Sequence, residues 1–373
     1  MSLELIQRRS FDDPERAAAQ ETVARAVTID PERFMDHYRS LEQSFAGRYV
    51  SADLFKETFD LYRDSNEARN RYNSAVHNAA AVLASEQLRR VLREPVEPGR
   101  GLVILLTGMP GAGKTSAILG LGALPHHAHA VYEGQMANPE VAIAKVQQVL
   151  DAGLQPVIVA VHVRPERALD NTLQRFHELG RGASIEAMAR IQGGLPMGLA
   201  AVRDRFGEAA EVRIVDRREF AEPKEWKGWG SLPVLASEGR YEQIKQRLTH
   251  HLEAQRERLS QDAWRQAAGL APIHRDRRAD AGVDRQHEGA GGGRAASQEG
   301  GEENFLTPAA ALTASERLRA GVDQVAKRLE TERERARAAR EVLERQRTPT
   351  LQRGLESDEA QRQTPHREDD LGL

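Results

Sequence analysis

The sequence of 373 residues contains no cysteine. This absence excludes disulfide bonds, thiolate zinc sites, iron–sulfur clusters and cysteine nucleophiles, and it is typical of a reducing compartment. The sequence also has no apolar run approaching the ~18 residues of a membrane span, and its first residues lack the apolar core of a secretory signal. We therefore expect a soluble, cytoplasmic protein that makes no membrane contact.

Neither sign of charge dominates. The 53 Lys and Arg residues nearly balance the 56 Asp and Glu residues, which leaves a formal net charge of −3. A uniform field that would draw nucleic acid over the whole surface is absent, so nucleic-acid binding is disfavoured.

Polar composition is concentrated towards the C-terminal end. Residues 271–312 are rich in glycine and charge, which predicts a flexible linker. In residues 313–347, apolar side chains recur every three to four positions behind a Thr-Ala-Ser-Glu capping pattern, which predicts a helical extension. That helix is either a single helix exposed to solvent on all sides, or one that binds a partner helix, for example in a weak coiled coil. Residues 348–373 have the composition of a disordered tail.

The first 270 residues have the patterns of a folded unit. Residues 1–46 predict an N-terminal helical region that is interrupted at Ile29-Asp30-Pro31. Residues 47–270 alternate short apolar runs with helical patterns, which predicts an α/β domain with a mostly parallel sheet flanked by helices. The predicted strands are residues 47–53, 101–107, 128–132, 156–163 and 212–216, and the predicted helices are 55–62, 74–92, 139–152, 165–179 and 241–259.

The most specific motif is GMPGAGKT, which lies between the apolar run 101–107 and a predicted helix. It satisfies the pattern of a phosphate-binding loop in the strand-to-helix context that the loop requires, and so predicts a P-loop NTPase core that binds a nucleoside triphosphate. We expect this nucleotide to be ATP. In such loops the lysine contacts the β- and γ-phosphates and the hydroxyl residue is a ligand of Mg²⁺; these are Lys114 and Thr115 here. The predicted nucleotide-binding residues are Gly108, Met109, Pro110, Gly111, Ala112, Gly113, Lys114 and Thr115.

The phosphate loop alone leaves the class of enzyme open. The sequence has neither the Asn-Lys-x-Asp element of GTPases nor the Asp-Glu strand end of mechanical ATPases. We therefore favour a kinase that acts on a small molecule. Two alternatives remain: a nucleotide-binding regulatory or assembly module without kinase activity, and a P-loop ATPase linked to nucleic acid.

Phosphoryl transfer to a hydroxyl also needs a carboxylate near the acceptor and cations near the transferred group. Asp53 follows a predicted strand, where it is either an acceptor-side base or the cap of the next helix. Glu133 ends another predicted strand and is a candidate to orient substrate or Mg²⁺. Arg181 and Arg190 follow the third core strand and are candidates to bind phosphate.

Four elements together resemble the zeta toxin family: the loop GMPGAGKTS, Asp-Leu-Phe-Lys at 53–56, Glu-Gly at 133–134 and Gly-Arg at 180–181. The resemblance implies a P-loop kinase of a bacterial toxin–antitoxin system that phosphorylates a nucleotide sugar such as UDP-N-acetylglucosamine. It also raises an antitoxin protein as a candidate partner.

Carried over to this sequence, the resemblance implies that Lys114 is the phosphate clamp, Thr115 the Mg²⁺ ligand and Asp53 the base on the acceptor hydroxyl. It further implies that Glu133 is a substrate-side carboxylate and that Arg181 stabilises the transferred phosphate; Arg190 is a candidate second arginine of this kind.

The order of the segments departs from the family pattern, because the Asp-bearing segment comes before the phosphate loop instead of after it. We therefore predict a transposed arrangement in which the strand at residues 47–52 lies parallel and adjacent to the strand at 101–107.

Overall fold

The computed structural model describes residues 3–115, 124–219 and 223–270, together with Thr331 and Ala338. The described residues up to 270 lie in the first of two units, and in the second unit Thr331 and Ala338 are helical and exposed. Apart from these two residues, the predicted linker, helical extension and tail lie outside the described part of the chain.

A single sheet organises the described residues. Its strand order is β1-β3-β2-β4-β5-β6; the first five strands are parallel, and β6 pairs antiparallel with β5. The predicted α/β P-loop fold with a mostly parallel sheet is confirmed. The strands are β1 (Tyr49–Ser51), β2 (Leu102–Thr107), β3 (Ala128–Glu133), β4 (Gln155–His162), β5 (Glu211–Asp216) and β6 (Lys224–Lys227).

The predicted place of β1 was only partly right. This strand is parallel to the others, but it pairs with β3, and Ser51 stands beside Glu133. The prediction that it lies next to β2 is wrong, because β3 occupies that position and pairs with β2 on its other side. As an edge strand, β1 has backbone groups that no neighbouring strand satisfies, and the Tyr38 hydroxyl covers them: it donates to Tyr49 O at 2.6 Å and accepts from Ser51 N at 3.0 Å.

Helices cover both faces of the sheet. Two aspartate–proline pairs start the first two helices: Asp13 and Asp30 each accept a backbone N–H of the first turn, and a proline follows each of them at the first helical position. The helices are Pro14–Ile29, Pro31–Ser40, Ala52–Phe55, Asp60–Arg63, Asn66–Tyr72, His77–Val91, Pro139–Asp151, Pro165–Leu179, Ile185–Phe206, Pro233–Ala236, Tyr241–Ala254 and Gln261–Ala267.

The long helix Ile185–Phe206 was not predicted, because Pro196 and three glycines interrupt its sequence pattern. The structure shows why the glycines are there. A Cβ atom on Gly198 would lie 1.8 Å from Met136 O, and one on Gly193 would lie 2.6 Å from Tyr241 N. The helix therefore packs backbone to backbone against its neighbours, at a distance that only glycine permits.

The core lies on the two faces of the sheet. Val103, Leu105, Ile158 and Ile214 point to one face and pack in a single cluster with the N-terminal helices and with helices His77–Val91 and Ile185–Phe206. Every residue of β2 is buried, as expected for a central strand covered on both sides. None of the helices in the described ranges is long and apolar enough to cross a bilayer.

The buried His162, at the end of β4, makes the stability of the fold sensitive to acid. Burial, and to a lesser degree Arg218, lower the pKa of its imidazole from 6.5 to about 4, although Asp216 and Glu238 oppose this shift. The Gln192 amide nitrogen lies 3.0 Å from Nδ1 of the ring. The imidazole is therefore neutral in the folded protein at pH 5 to 7, whereas an unfolded chain would protonate it in that range.

We expect the free energy of unfolding to fall by about 2 kcal/mol between pH 7 and pH 5 on account of His162 alone, since a bound proton favours the unfolded state there. Urea denaturation at several pH values measures this slope. His162→Gln should flatten this slope. An unaltered slope in the His162 variant would contradict the assignment.

Candidate functional site

The phosphate loop lies at the carboxyl end of β2, where parallel sheets place their ligands. Within the loop, Met109 is buried, and Ala112 N donates to Met109 O at 3.2 Å. Asn171, on the helix Pro165–Leu179, donates from Nδ2 to Gly111 O at 2.8 Å and ties the loop to that helix. Lys114 and Thr115, the last described residues before 124, are helical, and the rest of the predicted helix lies outside the described residues.

Four side chains meet beside this loop. Lys114 Nζ lies 3.1 Å from both Gly108 O and Met109 O and 3.6 Å from Glu133 Oε1. Thr115 Oγ1 donates to Glu133 Oε2 at 3.2 Å, and the buried Tyr49 hydroxyl donates to the same carboxylate oxygen. Burial is the main cause that raises the pKa of Tyr49, and the charge of Glu133 adds to it. The strand-end carboxylate predicted for the substrate side therefore lies against the phosphate loop.

This oxygen cluster fits a bound Mg²⁺. The ion prefers hard oxygen ligands, keeps several waters and takes few ligands from the protein when phosphates supply others. Thr115 Oγ1 and the Glu133 carboxylate are such ligands, and they lie at the edge of the sheet that carries the loop. These two side chains would hold the ion.

A second group of charges surrounds Asp53, just beyond the end of β1. Asp53 Oδ1 accepts from Lys56 Nζ at 2.8 Å, and Oδ2 lies 3.7 Å from Arg181 Nη2. Lys56 is almost fully buried and also donates to Asn73 Oδ1 at 2.7 Å, and Arg181 Nη1 lies 3.7 Å from Glu57 Oε1. The Asp-Leu-Phe-Lys element therefore forms a pair of opposite charges on one helical turn.

The structure bears on the interpretation of Asp53 as a helix cap. This residue is the second of the helix Ala52–Phe55, its carboxylate is held by Lys56, and no side-chain cap bond forms at that helix. The helix-cap interpretation is wrong. The Lys56 ammonium above all, and Arg181 after it, hold the pKa of Asp53 far below its usual value against the opposing effect of burial. The carboxylate is therefore ionised at any physiological pH.

A glycine brings Arg181 to this group. Gly180 ends the helix Pro165–Leu179 in the left-handed conformation, at φ 67°. A Cβ atom there would lie 2.0 Å from Asn66 O, so the chain passes directly against the segment that follows Asp53. In this pair Gly180 ends the helix and permits the close contact with Asn66, and Arg181 supplies the cation beside Asp53.

The Asp53 group faces a cavity of about 760 Å³ that also touches Pro110 of the phosphate loop. Three carboxylates, Asp12, Asp13 and Asp53, stand against a larger set of cations, which gives the cavity a positive excess. The cationic side chains that line it are Arg9, Arg16, Lys56, Arg175, Arg181 and Arg190.

The structure brings Asp53, Arg181 and Arg190 to one cavity. Lys114, Thr115 and Glu133 cluster beside the phosphate loop, whose Pro110 also lines that cavity. Sequence reasoning did not find the wall formed by the N-terminal segment, which contributes Arg9 and Arg16. Gln20 fixes this segment by two hydrogen bonds of 2.9 Å to the backbone of Arg9. Its sequence carries no local pattern that indicates the contact, because the partner residues are distant in the chain.

The mostly parallel sheet, the phosphate loop at its carboxyl edge and the adjoining cationic cavity together define the P-loop nucleotide-binding fold. Comparison with known families narrows this class. The model of the family described as "Zeta toxin" matches residues 122–222, a stretch that begins after the phosphate loop and does not contain Asp53. The resemblance to the zeta toxin family is thereby confirmed over this stretch.

Two solved structures are distantly similar. One is the AvrRxo1-ORF1:-ORF2 complex, with 13% identity, a TM-score of 0.35 and coverage of 69% of this chain and 86% of that chain. The other comes from the PezAT chromosomal toxin–antitoxin system of Streptococcus pneumoniae, with 14% identity, a TM-score of 0.33 and coverage of 67% and 97%. No curated protein sequence matches the chain.

Proposed function

We propose that this protein is an ATP-dependent phosphotransferase of the zeta toxin type, which transfers the γ-phosphate of ATP to a hydroxyl group of a nucleotide sugar such as UDP-N-acetylglucosamine. The observation that carries the proposal is the placement of Asp53. An ionised carboxylate, held by Lys56 and Arg181, opens onto the same cavity as Pro110 of the phosphate loop. A nucleotide-binding module without an acceptor has no use for that arrangement.

The phosphate-loop end of the site would bind the nucleotide. The Lys114 ammonium, in contact with two loop carbonyls, is within reach of phosphates held by the loop. Mg²⁺, held by Thr115 and Glu133, would supply positive charge to the phosphate oxygens. The Tyr49 hydroxyl fixes the orientation of the Glu133 carboxylate.

The cavity suits an anionic acceptor. Its cationic side chains outnumber its carboxylates, and Arg175 and Arg190 have no carboxylate within ion-pair distance in the described part of the chain. Arginine forks match phosphate oxygens in two-point contacts. A nucleotide sugar carries such phosphates next to its sugar hydroxyls, and 760 Å³ is in the range of small-ligand sites.

Asp53 would orient the acceptor hydroxyl. A carboxylate with a strongly lowered pKa is a weak proton acceptor but a good hydrogen-bond acceptor. The transition state of phosphoryl transfer is loose, so positioning contributes more than early proton removal. The hydroxyl oxygen would bond to the γ-phosphorus as the bond to the β-phosphate oxygen breaks, and the hydroxyl proton would pass to Asp53 late, when that oxygen has become acidic. Arg181, beside Asp53, would neutralise charge on the transferred group.

Mass spectrometry tests the proposal. The purified protein, incubated with ATP, Mg²⁺ and UDP-N-acetylglucosamine, should convert the nucleotide sugar to a product heavier by one phosphoryl group, with one ADP formed per product. Lys114→Ala and a reaction without nucleotide sugar are the controls. If ADP forms but no phosphorylated sugar is detected, UDP-N-acetylglucosamine is not the acceptor. If ATP is not converted to ADP with any acceptor tested, the result favours the regulatory module.

We also propose that the activity is toxic and is restrained by an antitoxin protein, as the family resemblance implies. Expression of the wild-type chain should arrest bacterial growth, whereas Lys114→Ala expressed to the same level should not. If cells that express either chain grow equally well, the activity is not toxic and the toxin proposal is rejected.

A further inference from the structure

Arg217, directly after β5, is a buried cation without a counter-charge. The residue is 3% exposed, and both terminal guanidinium nitrogens, Nη1 and Nη2, are buried without a hydrogen-bond partner in the described part of the chain. Burial is the main cause that lowers the pKa of this guanidinium to about 10, and the charge of Arg167 adds to it. An unpaired buried charge is costly, so a fold retains one where a ligand completes it.

Neighbouring arginines show how this chain balances buried cations elsewhere. Arg213, on β5, is as buried as Arg217, but its Nη2 lies 3.0 Å from Glu211 and its Nη1 lies 2.6 Å from Glu225. Arg218, the next residue, pairs with Asp216 at 2.7 Å. Arg217 has no such carboxylate, although it lies between two arginines that do.

The position of Arg217 indicates which ligand is missing. Its backbone N–H donates to His162 O at 2.7 Å, which fixes the residue at the carboxyl edge between β4 and β5. A Cβ atom on Gly113 would lie 2.7 Å from Arg217 Nη1, so the guanidinium lies directly against the phosphate loop. Arg167 Nη1 lies 3.3 Å from Arg217 O and brings a second cation to the same edge.

We propose that Arg217 is a nucleotide-binding residue, whose guanidinium forms an ion pair with the phosphate chain of the nucleoside triphosphate at Gly113. The inference rests on the nucleotide site of the proposed function and adds a cation that the phosphate-loop motif does not contain.

The test uses calorimetric titration with ATP and with inorganic tripolyphosphate, which presents the phosphate chain without a base or sugar. Arg217→Met should weaken the binding of both ligands by about 10- to 100-fold, the size expected for a charge-assisted contact. Arg217→Lys, which keeps the charge, should recover part of the loss. Arg205→Met, which removes an exposed arginine of the helix Ile185–Phe206, should bind both ligands like wild type.

Stability of the ligand-free protein gives a second readout. In the ligand-free protein no negative charge compensates the buried guanidinium, so the Arg217→Met variant should melt at the same temperature as wild type or at a higher one. On addition of ATP, its melting temperature should rise less than that of wild type. A lower melting temperature with unchanged affinity for both ligands would make Arg217 structural and overturn the proposal.

The ligand series separates the other outcomes. Weaker ATP binding with unchanged tripolyphosphate binding would place Arg217 at the base or sugar and overturn the phosphate contact. If wild type binds neither ligand, the proposed function fails as well. If wild type and Arg217→Met bind both ligands equally while Lys114→Ala binds neither, only the inference about Arg217 fails.

Discussion

Lys114→Ala is expected to abolish ATP binding or to lower turnover by roughly 10²- to 10³-fold, the loss typical of removing one charged contact to a reacting phosphate. The Lys114 ammonium is the loop's own cation and is in contact with Gly108 O and Met109 O. Titration calorimetry measures the binding, and release of ADP measures the turnover.

The fold should tolerate this change, because Lys114 contributes two hydrogen bonds to loop carbonyls, worth about 1 kcal/mol each, and one ion-pair contact of 3.6 Å with Glu133. Lys224→Ala, which removes an exposed lysine from β6, is the matched control and should keep full affinity. A Lys114 variant with wild-type binding and turnover would reject the assignment of GMPGAGKT as a nucleotide site.

Asp53→Asn is expected to reduce phosphoryl transfer by about 10²- to 10⁴-fold with little change in ATP affinity. The amide cannot carry the negative charge that Lys56 and Arg181 hold, and it is a poorer acceptor for a hydroxyl proton. Initial rates with saturating ATP, together with the ATP dissociation constant, separate the loss of transfer from a loss of nucleotide binding.

The same substitution removes the counter-charge of the buried Lys56, so stability must be measured beside activity. Asp60→Asn, in the neighbouring short helix, removes an exposed carboxylate that pairs with Arg33 and Arg63, and it should leave transfer unchanged. An Asp53→Asn protein that folds and transfers phosphate at the wild-type rate would remove Asp53 from the site.

Local sequence determined the parts of this protein whose interactions are local. The phosphate loop is eight consecutive residues, and the strand before it is a continuous apolar run, so both were predictable. The helix Pro165–Leu179 has the predicted bounds, and the break at Asp30 follows from an aspartate cap and the proline after it. In each case the physical cause lies within a few residues along the chain.

Tertiary structure decided where the edge strand and the distant charges lie. The sequence indicated that β1 is parallel, but only the pairing partners show that β3 stands between it and β2. Asp53 could have been a helix cap until its contacts with Lys56 and Arg181 were known.

The burial of Arg217 likewise could not be predicted from the residues next to it in the sequence. Its sequence neighbours, Asp216 and Arg218, pair with each other, so nothing local distinguishes it from an ordinary surface arginine. Its burial against Gly113 joins residues that are far apart in the chain, and the free energy of an unpaired buried charge depends on that burial and not on residue type. Composition and periodicity therefore determined the elements and the loop, whereas the packing of distant segments decided which side chains complete the site.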